Sequence, residues 1–258
     1  MKINSELRQH LMIGEVCNRF SYNGLIMQFF NKMKIVLLCF AVSFCYATRI
    51  NAEVGHKVVN VKYDNGSSPS IAFISSGEYA GYIAEAHQAS KLGSCALWFD
   101  IFDPYTEKRV VNVKYEDNAS NPSIAFIPSG KYAGYIAEVH EFSEGQDDNL
   151  WFDILDQDGE RVVNIKYEDK GLVPSIAFIS SGEYAGYIAE AHQDQSDSKL
   201  WFDVLGQTGE RIVNVEYDKG KLPSIAFISS GEYDSYIAEA HLTSGVTDDL
   251  WFDIVSTK

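Results

Sequence analysis

From Val58 the chain falls into short runs that alternate apolar and polar positions. Val59, Val61 and Tyr63 share one side, with Val58, Asn60 and Lys62 on the other, the period-two pattern of a half-buried strand. A second run, Ile71 to Ile74, opens at Pro69-Ser70; proline can begin a strand but cannot sit inside a central one. Ser75-Ser76-Gly77-Glu78 then reads as a hairpin turn, with glycine supplying a positive φ. A third run, Tyr79 to His87, puts Tyr79, Gly81, Ile83, Glu85 and His87 on one face and Ala80, Tyr82, Ala84 and Ala86 on the other. The fourth, Leu97 to Ile101, sets Leu97, Phe99 and Ile101 against Trp98 and Asp100. Helical periodicity is almost absent.

This set of four runs occurs four times. Its tryptophan recurs as Trp98, Trp151, Trp201 and Trp251, at spacings of 53, 50 and 50 residues. The repeats span about 53–106, 107–159, 160–209 and 210–258. A fixed period of this size signals an array whose units share a core with their neighbours. Tight turns such as Asp156-Gln157-Asp158-Gly159-Glu160 join the fourth run of one copy to the first run of the next. The connections 88–96, 141–149, 193–199 and 242–249 vary freely, as surface loops do.

The expected fold is therefore all-β, with four tandem four-stranded repeats forming a four-bladed β-propeller. In that fold the Val58 strand pairs with Leu250 to Ile254, and closure removes both free edges. The rival is two Greek-key or sandwich domains of two repeats each.

Residues 1–52 are different in kind. The apolar run 35–47, 13 residues long and directly after Met33-Lys34, has the length of a secretory signal core and is too short for a membrane span. A leader over 1–52 with its signal core at 33–47 is expected, and hence a secreted, extracellular protein. Met33 is an alternative start.

Residues 53–258 hold 15 Lys and Arg against 34 Asp and Glu, a net charge of −19. That field repels phosphate backbones and anionic lipid, so neither nucleic acid nor an anionic membrane is an expected partner. Three of the four cysteines lie in the leader, which leaves Cys95 and no disulfide framework. Asn65-Gly66-Ser67 and Asn118-Ala119-Ser120 are glycosylation sequons at matching places in copies one and two.

The polar candidates also come in fours. Glu-x-His recurs as Glu85/His87, Glu138/His140, Glu190/His192 and Glu239/His241. Its two side chains leave the same face of a strand and could hold a divalent cation or a sugar hydroxyl, or simply bond to each other. Trp-Phe-Asp supplies Trp98/Asp100, Trp151/Asp153, Trp201/Asp203 and Trp251/Asp253, an aromatic platform beside an acceptor, or a core tryptophan beside a structural one. Asn60, Asn112, Asn164 and Asn214 stand mid-strand, where asparagine is disfavoured, and imply either amides bonded across strands or a polar channel lining.

No nucleophile elbow, phosphate loop or metalloprotease helix is present, so the chain is not expected to be an enzyme. Four equal sites suit avidity. The reading is a secreted multivalent binding protein, lectin-like toward carbohydrate, with glycans or an extracellular protein as partners. It needs no cofactor beyond a possible divalent cation. The alternatives are a structural matrix protein without a small ligand, and a single axial metal site built from the four Glu-x-His sets.

Overall fold

A computed structural model describes residues 57, 59–89, 95–144, 147–244 and 247–257. The chain divides into Met1–Val58 and Val59–Lys258, and every described strand belongs to the second unit. The expected leader, signal core and alternative start at Met33 lie outside the described residues. Among the described residues no helix is long and apolar enough to cross a membrane.

The described structure is all-β, in sheets of four to six antiparallel strands. The first sheet is a meander of β1 (Gly66–Phe73), β2 (Ile83–Ala89), β3 (Ala96–Asp103) and β4 (Lys108–Asp117). The second repeats it with β5 (Ala119–Phe126), β6 (Ile136–Glu144), β7 (Asp147–Leu155) and β8 (Arg161–Asp169). β9 (Gly171–Phe178), β10 (Ile188–Asp194), β11 (Lys199–Leu205) and the first half of β12 (Arg211–Ile228) form the third unit. The second half of β12 continues into a fourth unit with β13 (Tyr236–Thr243) and β14 (Leu250–Ser256). Each sheet thus ends on the first run of the next copy, because the tight turn after Trp-Phe-Asp closes a hairpin with it.

Two expectations change. Tyr79 to Tyr82 is not strand: Gly77 and Gly81 adopt φ of +93°. Their loop closes through Gly81 N–H on the Ile74 carbonyl (2.8 Å) and Ile74 N–H on the Tyr82 carbonyl (3.0 Å). That loop folds Tyr79 and Tyr82 together (ring centres 5.7 Å apart) over the apolar core instead of continuing the ladder. Among the described residues the closing strand pair is not formed. Residues 59–65 form no strand, and β14 pairs with β13 alone.

Consecutive units pack in one repeated way, first strand beside first strand: β1 by β5, β5 by β9, and β9 by β12. Period-two alternation gives each sheet an apolar face, and the next unit covers it. Ala84, Ala86, Phe99 and Ile101 of the first unit meet Ile124, Phe126, Ile136 and Leu155 of the second. Ala137, Val139, Phe152 and Ile154 of the second meet Ile176, Ile188 and Leu205 of the third. The third and fourth units share a third such core through Phe202, Val204 and Ile237. Two paired sandwiches would leave units two and three without a common core, so the structure does not divide in that manner.

A serine hydroxyl locks each junction. Ser70, Ser123 and Ser175 Oγ accept the backbone N–H of Ile124, Ile176 and Ile225, each at 3.0 Å. The residue before each Pro-Ser (Ser68, Asn121, Val173 and Leu222) is left-handed, with φ between 49° and 53°. The ladders shift register there, so each is a bulge that turns the first strand toward its neighbour.

Candidate functional site

Register brings the two sequence motifs together. Glu85 lies opposite Asp100, which lies opposite Asn112; His87 lies opposite Trp98, which lies opposite Lys114. Partners across a ladder project from the same face, so these six side chains form two adjacent rows across the sheet. The arrangement recurs with Glu138, Asp153, Asn164 and His140, Trp151, Lys166, and again with Glu190, Asp203, Asn214 and His192, Trp201, Glu216.

The Glu and His side chains, and the Asp side chains of the first three units, are closed off from solvent. Glu85, His87, Asp100, Glu138, His140, Asp153, Glu190, His192, Asp203, Glu239 and His241 are all buried. Glu85 Oε2 lies 2.9 Å from His87 Nδ1, and the matching pairs are 2.8 Å (Glu138/His140), 2.9 Å (Glu190/His192) and 2.9 Å (Glu239/His241). The other carboxylate oxygen accepts a tyrosine hydroxyl from the end of the preceding repeat's fourth strand or its equivalent. Tyr63 reaches Glu85, Tyr115 reaches Glu138 and Tyr217 reaches Glu239, each at 3.0 Å.

Asparagine closes the far side. Asn112, Asn164 and Asn214 Nδ2 donate to Oδ1 of Asp100 (2.7 Å), Asp153 (2.7 Å) and Asp203 (2.6 Å). The mid-strand asparagines therefore bond across strands. An arginine completes each set. Arg109 lies 3.2 Å from Asp100 and 3.4 Å from Asp64, and Arg211 pairs with Asp203 and Glu168. Arg161 lies 2.7 Å from Glu116 and 2.9 Å from Asp153, although its Nε–H is not aimed at that oxygen.

Burial sets the electrostatics. It pushes the Asp153 carboxyl up to about 7, with the Glu138 carboxylate adding to the effect against His140 and Arg161. It likewise raises Glu190 to about 7 against the opposing pull of His192. Burial works against charge on the imidazoles of His140 and His192, but the carboxylates of Glu138 and Glu190 outweigh it and raise both. The Tyr63 hydroxyl is pushed to about 12 by burial and by Glu85. At neutral pH these tyrosines are donors, and the neighbouring carboxylates favour the charged form of the His140 and His192 imidazoles.

Expectation and placement differ here. Glu138/His140, Glu190/His192 and Glu239/His241 sit at the junctions between consecutive units and Glu85/His87 lies against Tyr63 of the segment before the first sheet, while asparagine and arginine partner Asp100, Asp153 and Asp203. The four sets also remain four separate clusters, one per unit, and do not converge on one axial site. Ligand atoms in each of Glu85/His87/Asp100, Glu138/His140/Asp153, Glu190/His192/Asp203 and Asp218/His241/Asp253 lie within 4.8 Å of one another. In the first three, a cation would have to displace bonds that the protein itself makes.

The second row runs out to the surface. Trp98, Trp151 and Trp201 are half-buried, and Trp251 is exposed. Beside the first three stands an ion pair: Lys114 with Asp117 (2.7 Å), Lys166 with Asp169 (2.6 Å) and Lys199 with Glu216 (3.1 Å). The tyrosine, arginine and Asp64/Glu116/Glu168 members of the network, and these ion pairs, were not singled out from sequence. Their fourfold or threefold recurrence is the signal that marks them.

No family model matches the chain, and no curated protein matches it. Solved structures do. An α-L-arabinofuranosidase, Arb93A of Fusarium graminearum, in complex with an iminosugar inhibitor, is similar at 14% identity and a TM-score of 0.47, over 72% of this chain and 60% of that one. The GH93 α-L-arabinofuranosidase of Fusarium graminearum in complex with arabinobiose is similar at 13% identity and a TM-score of 0.48, with the same coverage. This chain spans about three fifths of their length. At that identity the likeness is one of fold alone. It does correct one expectation: the structures to which this chain is similar are enzymes, and the exclusion of catalysis drawn from missing motifs does not stand.

Proposed function

We propose that the protein is a secreted, multivalent carbohydrate-binding protein whose four repeats are the blades of a propeller-type array. The carrying observation is the ledge repeated on the first three units. A half-buried tryptophan (Trp98, Trp151 or Trp201) stands beside a surface Lys–carboxylate pair. An indole face stacks on the C–H face of a sugar ring, while an ammonium and a carboxylate donate to and accept from its hydroxyls. The buried Glu–His–Asp clusters serve as the frame that fixes each ledge, because His87, His140 and His192 sit directly across the ladder from the tryptophans.

The second reading is a structural repeat protein. It draws on the burial of Glu-x-His in all four units, which is what a scaffold requires. A glycan array probed with the purified chain, with and without calcium, separates the two. Binding that is lost when Trp98, Trp151 and Trp201 are all replaced by alanine is expected. No binding across the array in either condition leaves the scaffold reading. Calcium-dependent binding would bring a divalent cation into the site.

A further inference from the structure

The three junctions inside the chain are copies of one another, and the two ends hold the halves of a fourth. At the leading end Ile71 is 69% exposed and Phe73 is 59% exposed, whereas their counterparts Ile124 and Phe126 are 5% and 9% exposed. At the trailing end Leu250 and Phe252 are 80% and 67% exposed, whereas Leu150 and Phe152 are wholly buried. A cavity of about 290 Å³ opens at the leading end among Val59, Val61, Tyr63, Ile71, Ile83 and Phe102.

The backbone is unpaired in the same places. Among the described residues β14 has no outer neighbour, and residues 59–63 (Val-Asn-Val-Lys-Tyr) repeat the sequence of Val111–Tyr115 without joining a ladder. Those residues already hold half of the junction. Tyr63 bonds Glu85 as Tyr115 bonds Glu138, and it packs on Phe102 at 4.7 Å between ring centres. They stand where the fourth strand of a preceding unit would stand.

We propose that the chain associates head to tail with a second copy, residues 59–63 of one chain completing the last sheet of the other. The polar groups match. Asn60 would meet Asp253 as Asn112 meets Asp100. Ser224, exposed at the trailing end, would accept Ile71 N–H as Ser70 accepts that of Ile124. Lys62 would arrive beside Trp251. The occupant is a second copy because residues 59–63 and the exposed face of β14 carry matching apolar and polar groups that, among the described residues, do not pair within one chain. The interface is heterologous, so it closes into a ring or extends, according to the rotation between copies.

The new junction lacks one internal contact. Gln157 and Gln207 staple neighbouring units inside the chain, Gln157 bonding Tyr79 N–H, the Ser76 carbonyl and the Gly134 carbonyl, and Gln207 making the matching set. At the leading end Pro104-Tyr105 takes that place, and Asp103 turns inward to accept Tyr105 N–H at 2.8 Å. Association is therefore weaker than the internal junctions and depends on concentration.

Sedimentation of the full chain, the Phe73→Lys and Phe252→Lys variants, and their equimolar mixture tests the proposal. The wild type should sediment as a dimer or larger species and each variant as a monomer. The mixture should form a one-to-one dimer, because each variant keeps the face that the other has lost. Both altered side chains are exposed within one chain, so both variants should fold with unchanged circular dichroism. Monomeric wild type at every concentration, or a mixture that stays monomeric, overturns the proposal. So does an intrachain disulfide, in place of an interchain one, between Asn60→Cys and Asp253→Cys in a Cys95→Ser background.

Discussion

Replacing Arg161 by methionine should reveal how the buried row is charged. Arg161 touches Glu116 and Asp153 and donates to the Tyr115 carbonyl at 2.7 Å, so it ties the second sheet to the first. Asp153 is wholly buried and its carboxyl titrates near 7, against 3.8 for an ordinary aspartate. That gap of about three pH units corresponds to roughly 4 kcal/mol of ionisation penalty at high pH, at about 1.4 kcal/mol per unit. The sign follows from proton binding. The folded chain binds more protons than the unfolded chain between pH 4 and 7, so this group's contribution to stability falls as pH rises through that window and is constant above it.

At pH 8 Asp153 is ionised and Arg161 is its nearest cation. Breaking a buried pair from one side costs about 3–5 kcal/mol. At pH 5 Asp153 is already protonated, and the variant loses only the bonds to Glu116 and Tyr115, on the order of 1–2 kcal/mol. Urea unfolding at the two pH values, read by tryptophan fluorescence, should show a cost about 2 kcal/mol larger at pH 8. Adding Asp153→Asn, which keeps an acceptor for Asn164, should remove most of that difference. Equal costs at both pH values, with no relief from the second change, would refute a buried carboxylate held charged by Arg161.

Other consequences are simpler. Phe152→Ala should cost about 3–5 kcal/mol by opening a cavity in the shared core, whereas Phe252→Ala, at the exposed end, should change the stability of one chain little, as dilute denaturation would register. Val173→Asn puts the residue of copy two into a left-handed position that a β-branched side chain resists, so thermal unfolding should show a gain of about 0.5–1 kcal/mol. Gln157→Ala should loosen the 76–79 turn, raising amide exchange at Tyr79 while leaving the ladder of β7 and β8 protected.

The all-β class and most strand positions were readable because period-two alternation depends only on sequence spacing. The loop at Tyr79–Tyr82 was not, since its alternation continues the strand pattern while Gly77 and Gly81 turn the backbone. Glu-x-His could be placed on one strand face, but burial depends on which unit covers that face. The covering tyrosine and arginine come from elements about 20 residues away on either side. Closure looked natural because the first and last runs complement each other. Complementarity does not say whether the partner strand belongs to the same chain.

The central claim is that each tryptophan ledge binds its own sugar, and calorimetric titration with a monovalent glycan chosen from the array tests it most directly. The account predicts three equivalents per chain, or four where a second copy completes the last sheet, and one fewer in Trp151→Ala with the affinity of the remainder unchanged. A single equivalent per chain, or none, would contradict it.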